Sequence, residues 1–266
     1  MSVKTAMIMA AGLGTRFGRY TEFIPKGFVE VGGRTMIHRS LDALLDCGIE
    51  RIVIGTGYHR AFFEALQKDY PQVETCFSPR YAETNSMYTL WNAREQLKGE
   101  DFLLLESDLV YERRALEVLL DCPHPDVMLT SPLTKFQDQY YVACDEKRRL
   151  THCSVNKEEL TPDGELVGIH KLSASFFRQM CADYATLAAS RPKLGYEFEL
   201  LRMATRGWTV HVLREDGLVW YEIDDEADLC YAEQHVVALL DRQDAFLMKK
   251  CNFAVRSYEK SVIYWK

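Results

Sequence analysis

"MIMAAGLGTRFGRYTEFIPKGFVEVGG", residues 7–33, sets two close glycines, an arginine and a Pro-Lys pair behind a short apolar run. Glycines at the end of a strand let backbone amides approach an anion without a Cβ in the way. Two familiar phosphate cradles fail on these letters. A dinucleotide fingerprint needs glycines at first, third and sixth places. Gly12 and Gly14 fit, but the sixth place holds Phe17. A Walker loop needs Gly-Lys-Ser/Thr, whereas Lys26 precedes Gly27 and no hydroxyl residue follows. What the stretch does offer is a loop over Ala10, Ala11, Gly12, Gly14 and Thr15, with fixed positive charge at Arg16 and Lys26 and a stiffening Pro25. That combination suits a triphosphate held by loop amides and side-chain cations.

Outward from the loop, strand-like and helix-like segments alternate. Residues 5–9, 51–55, 73–77, 101–106 and 126–131 read as buried strands, and 35–47, 59–69, 86–97 and 113–120 as helices. Alternation of this kind implies an α/β fold, a mostly parallel Rossmann-like sheet with helices on both faces. Short strands over 139–144, 150–155 and 166–171, separated by polar turns, read as a small antiparallel excursion. Helices at 173–189 and 196–206, strands within "WTVHVLRE" and "GLVWYEID", and a long helix from about 225 complete the pattern. One domain over 1–240 is expected, followed by a helical extension over 241–266 to which no role attaches. In such a sheet, ligands gather at the carboxyl ends of the strands near the point where strand order reverses. Residues 10–16, 83–88, 106–108 and 222–225 fall at such ends.

The 266 residues carry a formal charge of −7, with 47% hydrophobic and 27% charged residues. The acidic balance argues against non-specific nucleic-acid binding, which needs a basic surface to displace counterions. It leaves room for a local basic pocket. The eight cysteines form no C-x-x-C pair, which reads as reduced thiols and a cytoplasmic location. No apolar run approaches the roughly 18 residues of a membrane span, so membrane insertion is not expected. A homodimer is compatible with all of this.

"AAGLGTRF" followed by "PKGFVEVGGRTMI" resembles the nucleotidyltransferase superfamily that activates sugar phosphates and alcohol phosphates with an NTP. The resemblance implies a nucleotide-diphospho-sugar transferase type of fold, with the loop as NTP site. Asp108 ends an apolar strand in "LLLESDLVY", where a carboxylate can hold Mg²⁺ against a triphosphate. Asp224 in "VWYEIDDEAD" would serve as a helix N-cap on its own letters. The family's late "ID" aspartate implies instead that Asp224 is the second metal ligand and Asp225 the cap. "RYAETNSMYTLW" is similar to the segment that meets cytosine in bacterial phosphocholine and 2-aminoethylphosphonate cytidylyltransferases. Asn85 and Ser86 thereby become base readers, or the cap of the following helix, with Glu106 also at the nucleotide. "GIHKLSA", "YEFEL" and "LVWYEIDD" resemble the aminoethylphosphonate branch more than the choline branch. The similarity runs from about Ala6 to Ala232.

The implied reaction takes CTP and a small zwitterionic phosphonate or phosphate, releases pyrophosphate, and serves phosphonate decoration of cell-surface lipids or glycans. The rival acceptor is phosphocholine; a catalytically inactive nucleotide-binding module is the alternative of another class. Lys26 and Arg16 would act on the phosphates. Lys171, or Lys157 in its place, would hold the acceptor's phosphonate. A primary ammonium carries three donors and wants carboxylates around it. "KLGYEFELL" offers Glu197 and Glu199, flanked by Tyr196 and Phe198. Residues two apart on a helix do not share a face. Glu197 is expected to point at the substrate, beside Tyr196, because Leu200 and Leu201 one turn on would anchor that face.

Overall fold

The computed structural model describes residues 3–134 and 139–242. The extension expected over 241–266 therefore lies, from residue 243 on, outside the described residues. Strand β1 (Thr5–Ala10) is buried along its whole length. Its side chains divide by the two-residue period of a strand. Ala6, Ile8 and Ala10 enter one core and Met7 and Met9 the other. A strand apolar on both faces needs helices on both, and it has them. On one side pack α1 (Met36–Asp46), α2 (Arg60–Ala65) and α4 (Arg114–Asp121). On the other lie α3 (Ser86–Asn92), α5 (Ala174–Leu187) and α6 (Tyr196–Thr205).

β1 is flanked by β4 (Arg51–Thr56) and β6 (Phe102–Glu106), both parallel to it, and β4 by a parallel β5 (Val73–Phe77). Beyond β6 runs the nine-residue β11 (Gly164–Leu172), antiparallel to β6, to β8 (Val127–Ser131) and to β9 (Tyr141–Cys144). β10 (Leu150–Ser154) pairs antiparallel with β9, and β12 (His211–Arg214) parallel with β8. All strands of this nine-stranded sheet except β10 and β11 thus run one way. The sheet is mixed and mostly parallel, as expected, and the antiparallel β11 stands between β6 and β8. Chain order reverses at β1, with β4 to one side and β6 to the other, and the carboxyl ends of β1 and β6 open the cleft described below.

Four smaller features depart from the sequence reading. The helix expected over 86–97 stops at Asn92, and residues 15–22 wind into a 3₁₀ segment rather than an open loop. The strand in "GLVWYEID" does not join the main sheet. As β13 (Trp220–Glu222) it pairs antiparallel with β7 (Leu109–Tyr111), the continuation of the chain past β6. Finally, α7 (Glu226–Tyr231) runs into a π-turn over Ala232–Val236. The π-turn places Val236 and Val237 in a third core with Phe17, Val29 and Val31. β2 (Glu30–Val31) and β3 (Arg34–Thr35) form the short ribbon that leads into α1.

Candidate active site

A cleft of about 370 Å³ opens where β1 and β6 end. Its floor begins with residues 9–15 and continues through Lys26, Asn85, Ser86, Glu106, Asp108 and Glu197. The loop holds its shape through Gly14, whose φ of +65° suits glycine and whose carbonyl accepts from the Thr21 hydroxyl at 2.8 Å. Phe17, the residue that breaks the dinucleotide fingerprint, is fully buried in the third core. That place is filled by packing, so no glycine is wanted there. A Cβ on Gly12 would meet no protein atom within 4 Å, so the space above it belongs to the cleft.

Four charged groups meet at the cleft's mouth. Lys26 follows the extended Pro25. Its Nζ donates to Asp108 Oδ2 at 2.6 Å and to Asp224 Oδ1 at 2.7 Å. Arg16 donates to the same Asp224 oxygen at 2.7 Å. Burial alone would lower the lysine's pKa, but the two carboxylates outweigh it and hold the ammonium firmly charged. Asp225 caps α7 by accepting from the amides of Ala227 and Asp228, which leaves the Asp224 carboxylate to Lys26 and Arg16. The distances themselves test whether a metal fits. Asp108 and Asp224 already share one cation, the lysine ammonium. Glu106 and Glu222 each bring a carboxylate oxygen within 4.8 Å of one on Asp108 and of each other. Such an all-oxygen anionic set is the donor chemistry Mg²⁺ takes.

Beside them, three glutamates crowd together. Burial pushes the Glu106 carboxyl up to about 8, with the charges of Asp108 and Glu197 adding to it. Burial likewise raises Glu197 to about 7, with Glu222 contributing. Glu222 is held well above its ordinary value by burial and by Asp108 and Glu106. A buried oxygen of Glu197 has no hydrogen-bond partner. Carboxyls held above their ordinary pKa by burial and by one another are returned to the charged form by a cationic guest.

The other sequence candidates fall out unevenly. Asn85 caps α3 through the Ser86 amide at 2.8 Å, and its Nδ2 donates to Lys193 O at 3.3 Å. Ser86 Oγ accepts from the Tyr196 amide at 3.0 Å. Both line the cleft while bracing α3 against α6. Glu197 lines the cleft, whereas Glu199 turns away to Arg202. Tyr196 is fully buried behind Glu106, to which its hydroxyl donates at 2.6 Å. It is a support rather than a contact surface.

Lys171 does not belong to this site. It pairs with Leu103 near the start of β6, at the opposite edge of the sheet from Glu106, and its Nζ donates to the Cys122 carbonyl. The cause is the reversed direction of β11, which carries its C-terminal end away from the cleft. Lys157 is exposed in a short turn and lines nothing there. The reading of the residues gave no role to Glu222, although it stands in the 222–225 segment, and passed over Tyr140, Lys193 and Gly168. Only Glu222 left a signal, since it stands two places before Asp224 at the end of a strand and shares its face. Tyr140 and Lys193 line the cleft from segments whose letters carry no chemistry of their own.

Residues 6–181 match the family model described as "MobA-like NTP transferase domain". The 2-aminoethylphosphonate cytidylyltransferase of Lancefieldella rimae is 37% identical over 105 residues, 40% of this chain and 43% of that protein. The choline-phosphate cytidylyltransferase of Streptococcus pneumoniae is 38% identical over 92 residues, 35% of this chain and 40% of its own length. The matched stretches thus span less than half the length of these curated relatives. The solved structure of the CTP:phosphocholine cytidylyltransferase from Streptococcus pneumoniae superposes with a TM-score of 0.73 at 22% identity. It covers 88% of this chain and 99% of that one, a likeness of fold.

Proposed function

Because the chain belongs to the MobA-like NTP transferase domain family, we propose that it transfers a cytidylyl group from CTP to a small amine-bearing phosphonate, 2-aminoethylphosphonate. One observation carries the acceptor: Glu106, Glu197 and Glu222 line the cleft beside one another. An ammonium with three donors can satisfy several carboxylates at once. A quaternary ammonium has no N–H to offer them and prefers aromatic faces. The similarity to an aminoethylphosphonate enzyme supports the same choice.

An oxyanion of the acceptor's phosphonate attacks the α-phosphorus of CTP. A new P–O–P linkage forms, the bond from the α-phosphorus to its β-bridging oxygen breaks, and that electron pair leaves with pyrophosphate. The acceptor arrives as an anion, so no protein base is required. The work left to the protein is positioning and charge neutralisation. Loop amides from residue 10 to residue 15, with Arg16, hold the phosphates that leave. Lys26 exchanges its carboxylate partners for phosphate oxygens and neutralises charge at the reacting phosphorus. Asp108 and Asp224 would hold Mg²⁺, which supplies further charge neutralisation at the phosphates when bound. Asn85 and Ser86, which line the cleft, would read the base.

The test is pyrophosphate release from CTP with a panel of acceptors. The proposal expects 2-aminoethylphosphonate to exceed phosphocholine by roughly ten- to a hundredfold in kcat/KM, the worth of one charge-assisted hydrogen bond. It also expects Glu197→Gln to erase much of that margin. Tyr140, an aromatic ring on the cleft wall, favours phosphocholine as the second reading. That reading takes first place if phosphocholine is the better substrate.

A further inference from the structure

Behind Glu106 lies a buried chain of polar groups that the reaction above does not use. Tyr196 Oη donates to Glu106 Oε1 at 2.6 Å. A phenol has one proton to give, so the 3.0 Å contact between Tyr196 Oη and His170 Nε2 places the other proton on the imidazole. His170 is fully buried, and its remaining ring nitrogen, Nδ1, has no partner. It is the bare nitrogen of a neutral ring, which burial favours by drawing the pKa down to about 3. The Tyr196 ring is itself fixed. It stands edge-on to His170 with centroids 5.3 Å apart, and its amide is tied to Ser86.

On the far side of the same carboxylate stands Gly168. Its φ is +79°, at the point where the pairing of β11 with β8 loses register between Leu166 and His170. A Cβ there would lie 2.9 Å from Glu106 Oε2. Glu106 is therefore gripped by one oxygen and walled beside the other, and the carboxylate faces the cleft in one orientation.

We propose that His170 and Tyr196 are positioning residues, a relay of two hydrogen bonds that locks Glu106 Oε1 so that Oε2 is presented to the ammonium end of the acceptor. This rests on the reading of the acceptor as an amine-bearing phosphonate. The relay is a specificity device, since it does nothing for the phosphate chemistry at Lys26. Tyr196→Phe removes the grip with little change of shape. Glu106 can then rotate, and only an acceptor with an amine should notice.

The experiment compares wild type and Tyr196→Phe with 2-aminoethylphosphonate and with ethylphosphonate, which lacks the amine, at saturating CTP and Mg²⁺. The expected result is a fall of at least about tenfold in the preference for the amine, measured as the ratio of the two kcat/KM values. KM for CTP should stay within about threefold. An equal fall with both acceptors would reduce Tyr196 to a packing role and overturn the proposal. Should wild type show no preference for the amine, the acceptor reading fails first, and the relay fails with it. If Tyr196→Phe loses its fold by circular dichroism, His170→Gln and His170→Leu carry the test. Glutamine can replace the Nε2–H donor and should keep the preference, and leucine should lower it. Equal preferences in the two variants would overturn the relay.

Discussion

Lys26→Met should have two opposite signatures in one protein. The lysine side chain is 13% exposed and bridges carboxylates that are 19% and 7% exposed. Methionine keeps most of the volume and removes the charge. Asp108 and Asp224 are then left facing each other, with Glu106 and Glu222 nearby. Removing one partner of a buried ion pair costs about 3–5 kcal/mol, and the low end applies here because the cleft admits water. At 2–4 °C per kcal/mol for a chain of this size, about 3 kcal/mol lowers Tm by about 6–12 °C in metal-free buffer. The vacated place suits a divalent cation. Millimolar Mg²⁺ should therefore raise Tm of the variant by several degrees and move wild type little, because Lys26 already fills the position. Turnover should fall on the order of 10²–10³-fold, as for loss of one preorganised donor to transition-state charge. Differential scanning fluorimetry with and without Mg²⁺, alongside pyrophosphate release, reads all three quantities. A variant with wild-type Tm and no added response to Mg²⁺ would refute the stand-in role of the lysine. Unchanged kcat/KM would remove Lys26 from the chemistry.

Three further outcomes follow from other parts of the molecule. Asp108→Ala should nearly abolish turnover, and activity of the wild type should vanish in EDTA and return with Mg²⁺; full activity in excess chelator would end the metal assignment. CTP should be strongly preferred over UTP, since cytosine offers an amino donor where uracil offers an acceptor and mismatched groups in a polar pocket stay unpaired. Equal use of the two triphosphates would remove the cytidylyl assignment and leave the fold. Away from the cleft, burial pushes the Glu199 carboxyl from 4.5 up to about 8, with Asp183 adding to the shift. The folded chain thus holds this proton more tightly than the unfolded chain. Its stabilising effect is complete below pH 4.5 and is lost as pH rises toward 8. Glu199→Gln imitates the protonated form and should raise Tm at pH 8.5 while giving no gain at pH 4, as scanning fluorimetry across pH would show.

The loop and the charges at the cleft mouth could be read from letters because each is a local event. An apolar run ends, a Gly-x-Gly turn follows, and a carboxylate stands one or two places past a strand. The rule that ligands gather at carboxyl ends then brings the loop and Asp108 to one edge without any knowledge of pairing, while Asp224, a helix cap on its own letters, joins them only through the family resemblance. The glutamate cluster depends on pairing, and there the letters say less. "GELVGIHKL" is apolar enough to be a strand in either direction, and nothing within it states which neighbour it takes. Its placement between β6 and β8, antiparallel to both, is a tertiary outcome. One reversal exchanges the two ends of the strand. The lysine that looked ready for a phosphonate goes to the far edge, where it serves a backbone carbonyl. A glycine with no chemistry of its own arrives beside Glu106. His170, two places on from that glycine, then reaches the cleft only through Tyr196, as a group that never meets solvent. A strand's direction, more than its composition, decides which of its residues can serve a site at one edge of a sheet.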